Sequence, residues 1–351
     1  MWLFGDSFDH YATADINKKW NRKGNAPTIG ATGRNGTSGL TTTGSSTFVE
    51  KTLDTPAPTG ATIIVGVAYK ASAFAAESGI LQVVSAGLPI LSLNQVTDGT
   101  LRLRRGTYNG TILGTTVRAL NSGVWAYLEL KVLIDGAAGT AALRVNGEDW
   151  APFPLAGQDT GTDGYNGIHL GGNSSGASHT AVYDDLYVLD GTDSGIAGNP
   201  LNDFLGDTRG EVLLPNGNGA TSGFTGNDGN EVDNYALVNE ATPNDDTSFV
   251  AAQAVDAKDT YPFSDARTIG SIRCVQHLLC MKKSDTATKT VKSVVRDGGG
   301  TDRDSTATQN PAQVTYDYYR FNYPSDPASP LTGPWLKDNL NACEFGQKIT
   351  Q

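Results

Sequence analysis

Residues 123–147, GVWAYLELKVLIDGAAGTAALRVNG, decide how this chain folds. Trp125, Tyr127, Glu129 and Lys131 alternate with Ala126, Leu128, Leu130 and Val132, a period of two that sends one set inward and the other outward, as in a β-strand. Asp135-Gly136 and Gly139-Thr140 supply turn chemistry, Leu143 and Val145 resume the alternation, and Asn146-Gly147 favours the positive φ of a tight turn. A second run, AVYDDLYVL at 181–189, sets Val182, Asp184, Leu186 and Val188 on one face and Tyr183, Asp185, Tyr187 and Leu189 on the other. On that alternation Asp184 and Asp185 point to opposite faces and form no acid/base pair.

Outward from these two runs the pattern repeats. Strands are expected at 28–31, 40–43, 47–53, 61–68, 79–85, 89–94, 100–104 and 111–117, with Gly, Pro, Asn and Asp between them. Thr13 caps a brief helix over 12–20, in which Ile16 and Trp20 share a face, and 71–77 reads as a second short helix. Residues 150–176 form a polar, loop-rich passage broken by Ile168 and Leu170. A chain of 351 residues with 42 glycines and few helical spacings implies two β-rich domains. The expected boundaries are 1–190 for the first domain, 191–203 for a linker without apolar periodicity, and 204–351 for the second. In the second domain strands are expected at 208–214, 248–252, 259–263, 272–281, 289–296 and 317–322, with 272–281 and 289–296 pairing as a hairpin across KSDTAT. Trp335, Leu336, Leu340 and Cys343 share one face of a short helix, and Ile349 opens a final strand.

The order W-x-x-L-x-L-x-V from Trp125, then L-x-V-N-G from Leu143, then Y-D-D-L-Y-V from Tyr183 resembles the laminin-G-like, concanavalin A-like jelly roll over residues 1–190. F-L-G-D-x-R from Phe204, L-L-P-N-G-N-G-A-T-S from Leu213, N-Y-A-L-V-N-E from Asn234, P-N-D-D-T-S-F-V from Pro243 and W-x-x-x-x-L-N-A-x-E-x-G from Trp335 are similar to the C-terminal half of tailed-bacteriophage virion proteins that carry such a domain. The segment FDHYATAD, Phe8 to Asp15, belongs to the same resemblance. It implies an all-β chain: an N-terminal concanavalin A-like jelly-roll sandwich followed by a smaller β-rich, sandwich-like virion-attachment domain with a short C-terminal helix. It further implies a structural subunit of tail, neck or head, assembled in the host cytoplasm, whose partners are copies of itself and other virion proteins.

The net charge of −11 repels a phosphate backbone, so nucleic acid is not an expected partner. Arg102, Arg104 and Arg105 read as the solvent face of one strand. No apolar run reaches the roughly 20 residues that cross a bilayer, and the start of the sequence lacks the basic and apolar regions of a secretory signal. Cys274, Cys280 and Cys343 are expected to be reduced and buried, and His277 faces away from the first two.

Catalytic signatures are missing: there is no E-x-D-x-x-E strand, no G-x-S-x-G, no H-E-x-x-H and no phosphate loop, since Arg34 does not replace the loop's lysine. Asp9 and His10 suggest half of an acid/base pair but lack a third partner. The expectation is therefore a chain that is not an enzyme and needs no cofactor. Two binding possibilities accompany it. Trp150, Tyr165, Asn166, His169 and Asn173 are loop residues whose rings and amides suit a host-surface glycan, although loop aromatics also pin turns. Asp228, Asn230 and Asp233, or Asn244, Asp245 and Asp246, could place oxygens around a structural calcium, although such clusters also bond their own turns.

Overall fold

The computed structural model of the chain describes residues 1–172, 179–267, 270–329 and 333–351. It divides into two compact units, Met1–Asp193 with Leu201–Gly210, and Ser194–Pro200 with Glu211–Gln351. The fold is nearly all β, as the period-two runs require. In the first unit the strands are β1 Trp2–Asp6, β2 Arg22–Gly24, β3 Thr28–Gly30, β4 Gly39–Thr43, β5 Phe48–Thr52, β6 Thr62–Ala71, β7 Ser78–Ser85 and β8 Leu88–Gln95. They continue with β9 Thr100–Arg105, β10 Thr111–Ala119, β11 Ala126–Leu133, β12 Gly139–Val145, β13 Glu148–Asp149, β14 Leu155–Gln158, β15 Gly167–Gly171 and β16 Thr180–Leu189. One short α-helix, Ile16–Lys19, follows a turn of 3-10 helix at Thr13–Asp15.

These strands make two antiparallel sheets. The nine-stranded sheet runs β13-β12-β11-β6-β16-β4-β3, with β1 added on β16 and β14 on β12; the seven-stranded sheet runs β10-β9-β8-β7-β15-β5-β2. Leu128, Leu130 and Val132 of β11 and Val65 and Val67 of β6 fill the inner side of the first, and Leu91, Leu93, Leu101 and Leu103 that of the second, all of them buried. The Tyr69 hydroxyl of β6 donates to Gln95 Oε1 of β8 at 2.7 Å, a polar tie across an otherwise apolar sandwich. This is the jelly-roll-like architecture that the alternation of residues 123–147 demands.

The outer side of the nine-stranded sheet is not left to solvent. Leu201–Gly210 returns to the first unit and lies over Tyr127, Glu129 and Tyr187, so Leu201, Phe204 and Leu205 join Trp2 and Trp125 in one apolar cluster. Glu129 Oε1 accepts from the Gly206 amide at 2.8 Å, Tyr187 OH accepts from the Leu205 amide at 3.1 Å, and Arg34 donates to Thr208 O at 2.8 Å. Residues 208–210 are thus part of this strap, which corrects the expected strand over 208–214; Pro215 makes only a single bridge, to Phe263.

In the second unit the strands are β17 Thr225–Gly226, β18 Val250–Ala251, β19 Lys258–Pro262, β20 Val275–Met281, β21 Val291–Arg296, β22 Asp302–Asp304, β23 Asp317–Tyr323 and β24 Glu344–Ile349. They form a four-stranded sheet β19-β24-β21-β22 and two ribbons, β20-β23 and β17-β18. The expected hairpin of 272–281 with 289–296 does not form. β20 pairs with β23 over seven residues, Val275↔Tyr323 to Met281↔Asp317, while β21 lies between β24 and β22. The connection KSDTAT has no glycine to turn the chain, and Lys283 instead bonds the segment at Ala312 and Gln313. The short helix near the end is Lys337–Asn341, and the last strand runs up to Ile349 instead of starting there. No helix forms over 71–77, where β6 passes by a bend to β7. Asn199, fully buried, donates to Arg273 O and Pro324 O at 2.9 Å each, which fastens Ser194–Pro200 into this unit. Among the described residues no helix is long and apolar enough to cross a membrane.

Candidate functional site

Polar residues recur on one side of the seven-stranded sheet: Glu50 between Val49 and Lys51, Gln82 between Leu81 and Val83, Ser92 between Leu91 and Leu93, His169 between Ile168 and Leu170, and Arg104 after Leu103. Each lies on the side away from the core because its neighbours face inward. Register then lines them up. Arg104 pairs with Ser92, Ser92 with Gln82, Gln82 with His169, His169 with Glu50, and Glu50 with Arg22. A continuous polar row therefore crosses six strands, about 24 Å at the usual inter-strand spacing.

Carboxylates organise both ends of the row. Glu77, between β6 and β7, accepts from Arg104 Nε at 2.6 Å and Nη2 at 2.9 Å, from Arg102 Nη1 at 2.7 Å and from Asn94 Nδ2 at 3.2 Å. Burial pushes the Glu77 carboxyl up, and the bond to Arg104 with the two guanidinium charges outweighs it, so Glu77 titrates below its ordinary range. At the other end Glu50 Oε2 lies 2.8 Å from His169 Nε2 and 2.7 Å from Arg22 Nε. Phe48 stacks on the His169 ring at 5.0 Å and carries the Arg22 guanidinium at 5.2 Å on its own ring. Burial lowers the His169 pKa against the pull of Glu50, which leaves a neutral imidazole near pH 7. Asn94 Oδ1 is buried with no hydrogen-bond partner. Arg102 and Arg104 are thus not a bare solvent face, as expected, but half-buried members of an ion-paired cluster.

The residues chosen from sequence fall elsewhere, with one exception. His169 is in the centre of the row, on a strand and not a loop. Trp150 is buried beneath the Arg118 guanidinium, 5.0 Å away, and closes the turn after β13. Tyr165 is buried, its hydroxyl donating to Thr62 O at 2.8 Å. Asn166 Oδ1 accepts from the Ala86 amide at 3.0 Å, which orders the β7–β8 turn. Asn173 lies outside the described residues. The calcium candidates bond their own turns: Asp228 Oδ1 accepts from the Asn230 amide, Asn230 Oδ1 from the Val232 amide, and Asp233 Oδ1 from Asn218 Nδ2. Asn244 bonds Glu240 and Ser248, Asp245 adopts a left-handed φ of 55°, and Asp246 is ion-paired to Lys282. Among the described residues no three acidic, histidine or cysteine side chains gather as a metal cluster.

A second convergence overturns the reading of Asp184 and Asp185. A bulge between Asp184 and Tyr187, with Asp185 at φ 49°, breaks the alternation of β16 and turns both carboxylates toward Arg34. Asp184 Oδ2 accepts from the Arg34 amide at 2.7 Å, and Asp185 Oδ2 from Arg34 Nε at 2.8 Å and Nη2 at 2.6 Å. Asp9, bonded to the Ser38 amide at 2.8 Å, adds its field. Burial, then the Asp185 charge, pushes Asp184 up to about 7.

No family model matches the chain, and no curated protein matches it. Solved structures similar to it include the catalytic domain of the glycoside hydrolase family 131 protein from Coprinopsis cinerea, 15% identical over 53% of this chain and 93% of that one, with a TM-score of 0.37. Domain 4 of a GH43 extracellular arabinanase from Geobacillus stearothermophilus, in complex with arabinotriose, is 14% identical over 47% of this chain and 75% of that one, with a TM-score of 0.34. Trypanosoma rangeli sialidase is 12% identical over 43% of this chain, with a TM-score of 0.31; the chain spans 25% of the sialidase's length. These are likenesses of fold, and none of the three is a virion protein. The matched chains come from glycosidases, which stands against the expectation of a chain that is not an enzyme.

Proposed function

We propose that the first unit binds a glycan across the outer face of its seven-stranded sheet. The row from Arg104 to Arg22 supports this reading. Sandwich stability asks only that an outer sheet face be solvated, yet here amide, hydroxyl, imidazole, carboxylate and guanidinium groups sit side by side, several of them buried. Such groups present donors and acceptors in fixed directions, as a polyhydroxylated ligand requires, with the Phe48 ring as an apolar surface beside them. A glycan array probed with the full chain tests the proposal. Arg104→Ala and Glu77→Ala, each checked for an unchanged fold, should weaken any array hit at least tenfold, and release of reducing ends from that glycan would mark hydrolysis. Silence on the array would contradict the proposal.

The sequence resemblance over residues 8–15 and 204–250 favours a setting for this activity: a subunit of a tailed-bacteriophage particle, in contact with copies of itself and other virion proteins, with a host-surface glycan as ligand. Mass-spectrometric inventory of separated heads and tails should find it at fixed stoichiometry in one fraction, and its absence from both would refute that setting.

A further inference from the structure

Between the first strand and the short helix lies an ion pair that the glycan face does not use. Lys19 Nζ is 3.3 Å from Asp6 Oδ1, with side chains 3% and 0% exposed. The same Nζ is 2.8 Å from His10 Nε2 and stands over the rings of Phe4 and Tyr11 at 5.6 and 5.9 Å. The second carboxylate oxygen, Asp6 Oδ2, accepts from Tyr11 OH at 2.7 Å and Trp20 Nε1 at 3.0 Å. We propose that Lys19 and Asp6 condense to an intramolecular isopeptide bond, an amide from Lys19 Nζ to Asp6 Cγ.

Four features carry this. Amine and carboxyl are held in direct contact, Nζ 3.3 Å from Oδ1, by packed secondary structure, which removes the entropic cost of bringing them together. Tyr11 OH and Trp20 Nε1–H point at the oxygen that stays, and there they stabilise the charge of a tetrahedral intermediate. His10 Nε2 accepts a hydrogen bond from the ammonium at 2.8 Å and fixes its direction; burial, the larger effect, and the neighbouring Lys19 charge hold the His10 pKa near 3, so the imidazole stays neutral. Finally, an enclosed pair of full charges carries a desolvation cost that a neutral amide does not. Burial raises the Asp6 pKa, but the charge of Lys19 and the bonds from Phe8 and Tyr11 lower it overall, so the resting state is the ion pair. The reactive form arises when one ammonium proton passes directly from Lys19 Nζ to Asp6 Oδ1 across the 3.3 Å between them. The neutral amine then attacks Cγ, the C–Oδ1 bond breaks, and Oδ1 departs as water with two of the three ammonium hydrogens. The third remains on the amide nitrogen. Charge, atoms and electrons balance without a co-reactant.

Intact-mass measurement of the denatured full-length chain tests this directly. The expected mass is one water below that of the sequence, and tryptic digestion should yield residues 1–18 joined covalently to 19–22, because the modified Lys19 is not cleaved. Lys19→Met should restore the full sequence mass, while Asp6→Asn should lose ammonia in place of water and reach the same final mass as the wild type. A full-mass wild-type chain with unlinked peptides, or a water loss mapped to other residues, would overturn the proposal.

Discussion

His277 shows how a buried histidine serves the core. Its Nδ1 meets Ser293 Oγ at 2.7 Å, and the rings of Phe263, Phe321 and Phe345 surround it at 6.3, 6.5 and 5.7 Å. Burial pushes its pKa from 6.5 down to about 4. The folded imidazole is therefore neutral where the unfolded one is protonated, so stability is full above the unfolded pKa and falls as pH drops from about 6.5 toward 4, a loss of about 3 kcal/mol across that window. Denaturation of the second unit at pH 7 and pH 4.5 should show a larger loss in the wild type than in His277→Leu; equal losses would place the sensitivity elsewhere. Trp150 makes the same point in the first unit. Packed under Arg118 and 5% exposed, it is a pin, so Trp150→Ala should cost about 3–5 kcal/mol in thermal or chemical unfolding while folded protein keeps its glycan affinity. Loss of binding at unchanged stability would return Trp150 to the site.

At the scale of elements, period-two runs were legible wherever both faces of a strand obeyed one rule. β6 to β12 and β16 lie where alternation puts them. β15 was harder to read, because only Ile168 and Leu170 mark it within a polar passage, although every residue from Gly167 to Gly171 is buried in mid-sheet. The bulge at Asp185 leaves no trace in alternation, which is why two acids assigned to opposite faces converge on Arg34. Non-local pairing was equally hidden: β20 finds β23 across 35 intervening residues that turn chemistry does not describe. The strap Leu201–Gly210 is the element with the clearest energetic consequence. Leu201 is 1% exposed against Ile64, Ala68 and Leu189, so Leu201→Ala should destabilise the first unit by about 2–5 kcal/mol. A change below half a kcal/mol in its unfolding midpoint would mean that the sheet face is stable uncovered.

Over the whole molecule, composition and periodicity pointed to an all-β chain of two parts. The candidate site escaped because its members, Arg22, Glu50, Gln82, Ser92, Arg104 and His169, come from six strands spread over most of the first unit and meet only through register. Loop aromatics drew attention in sequence, while the row is built of polar residues within strands. That arrangement is why the proposed glycan site is placed on the seven-stranded sheet and not on the strap-covered one. Hydrogen exchange with and without a saturating array-selected glycan tests this most directly: protection is expected at residues 22–24, 48–52, 78–95 and 100–105, and protection confined to 126–133 and 201–210, or none at all, would contradict it.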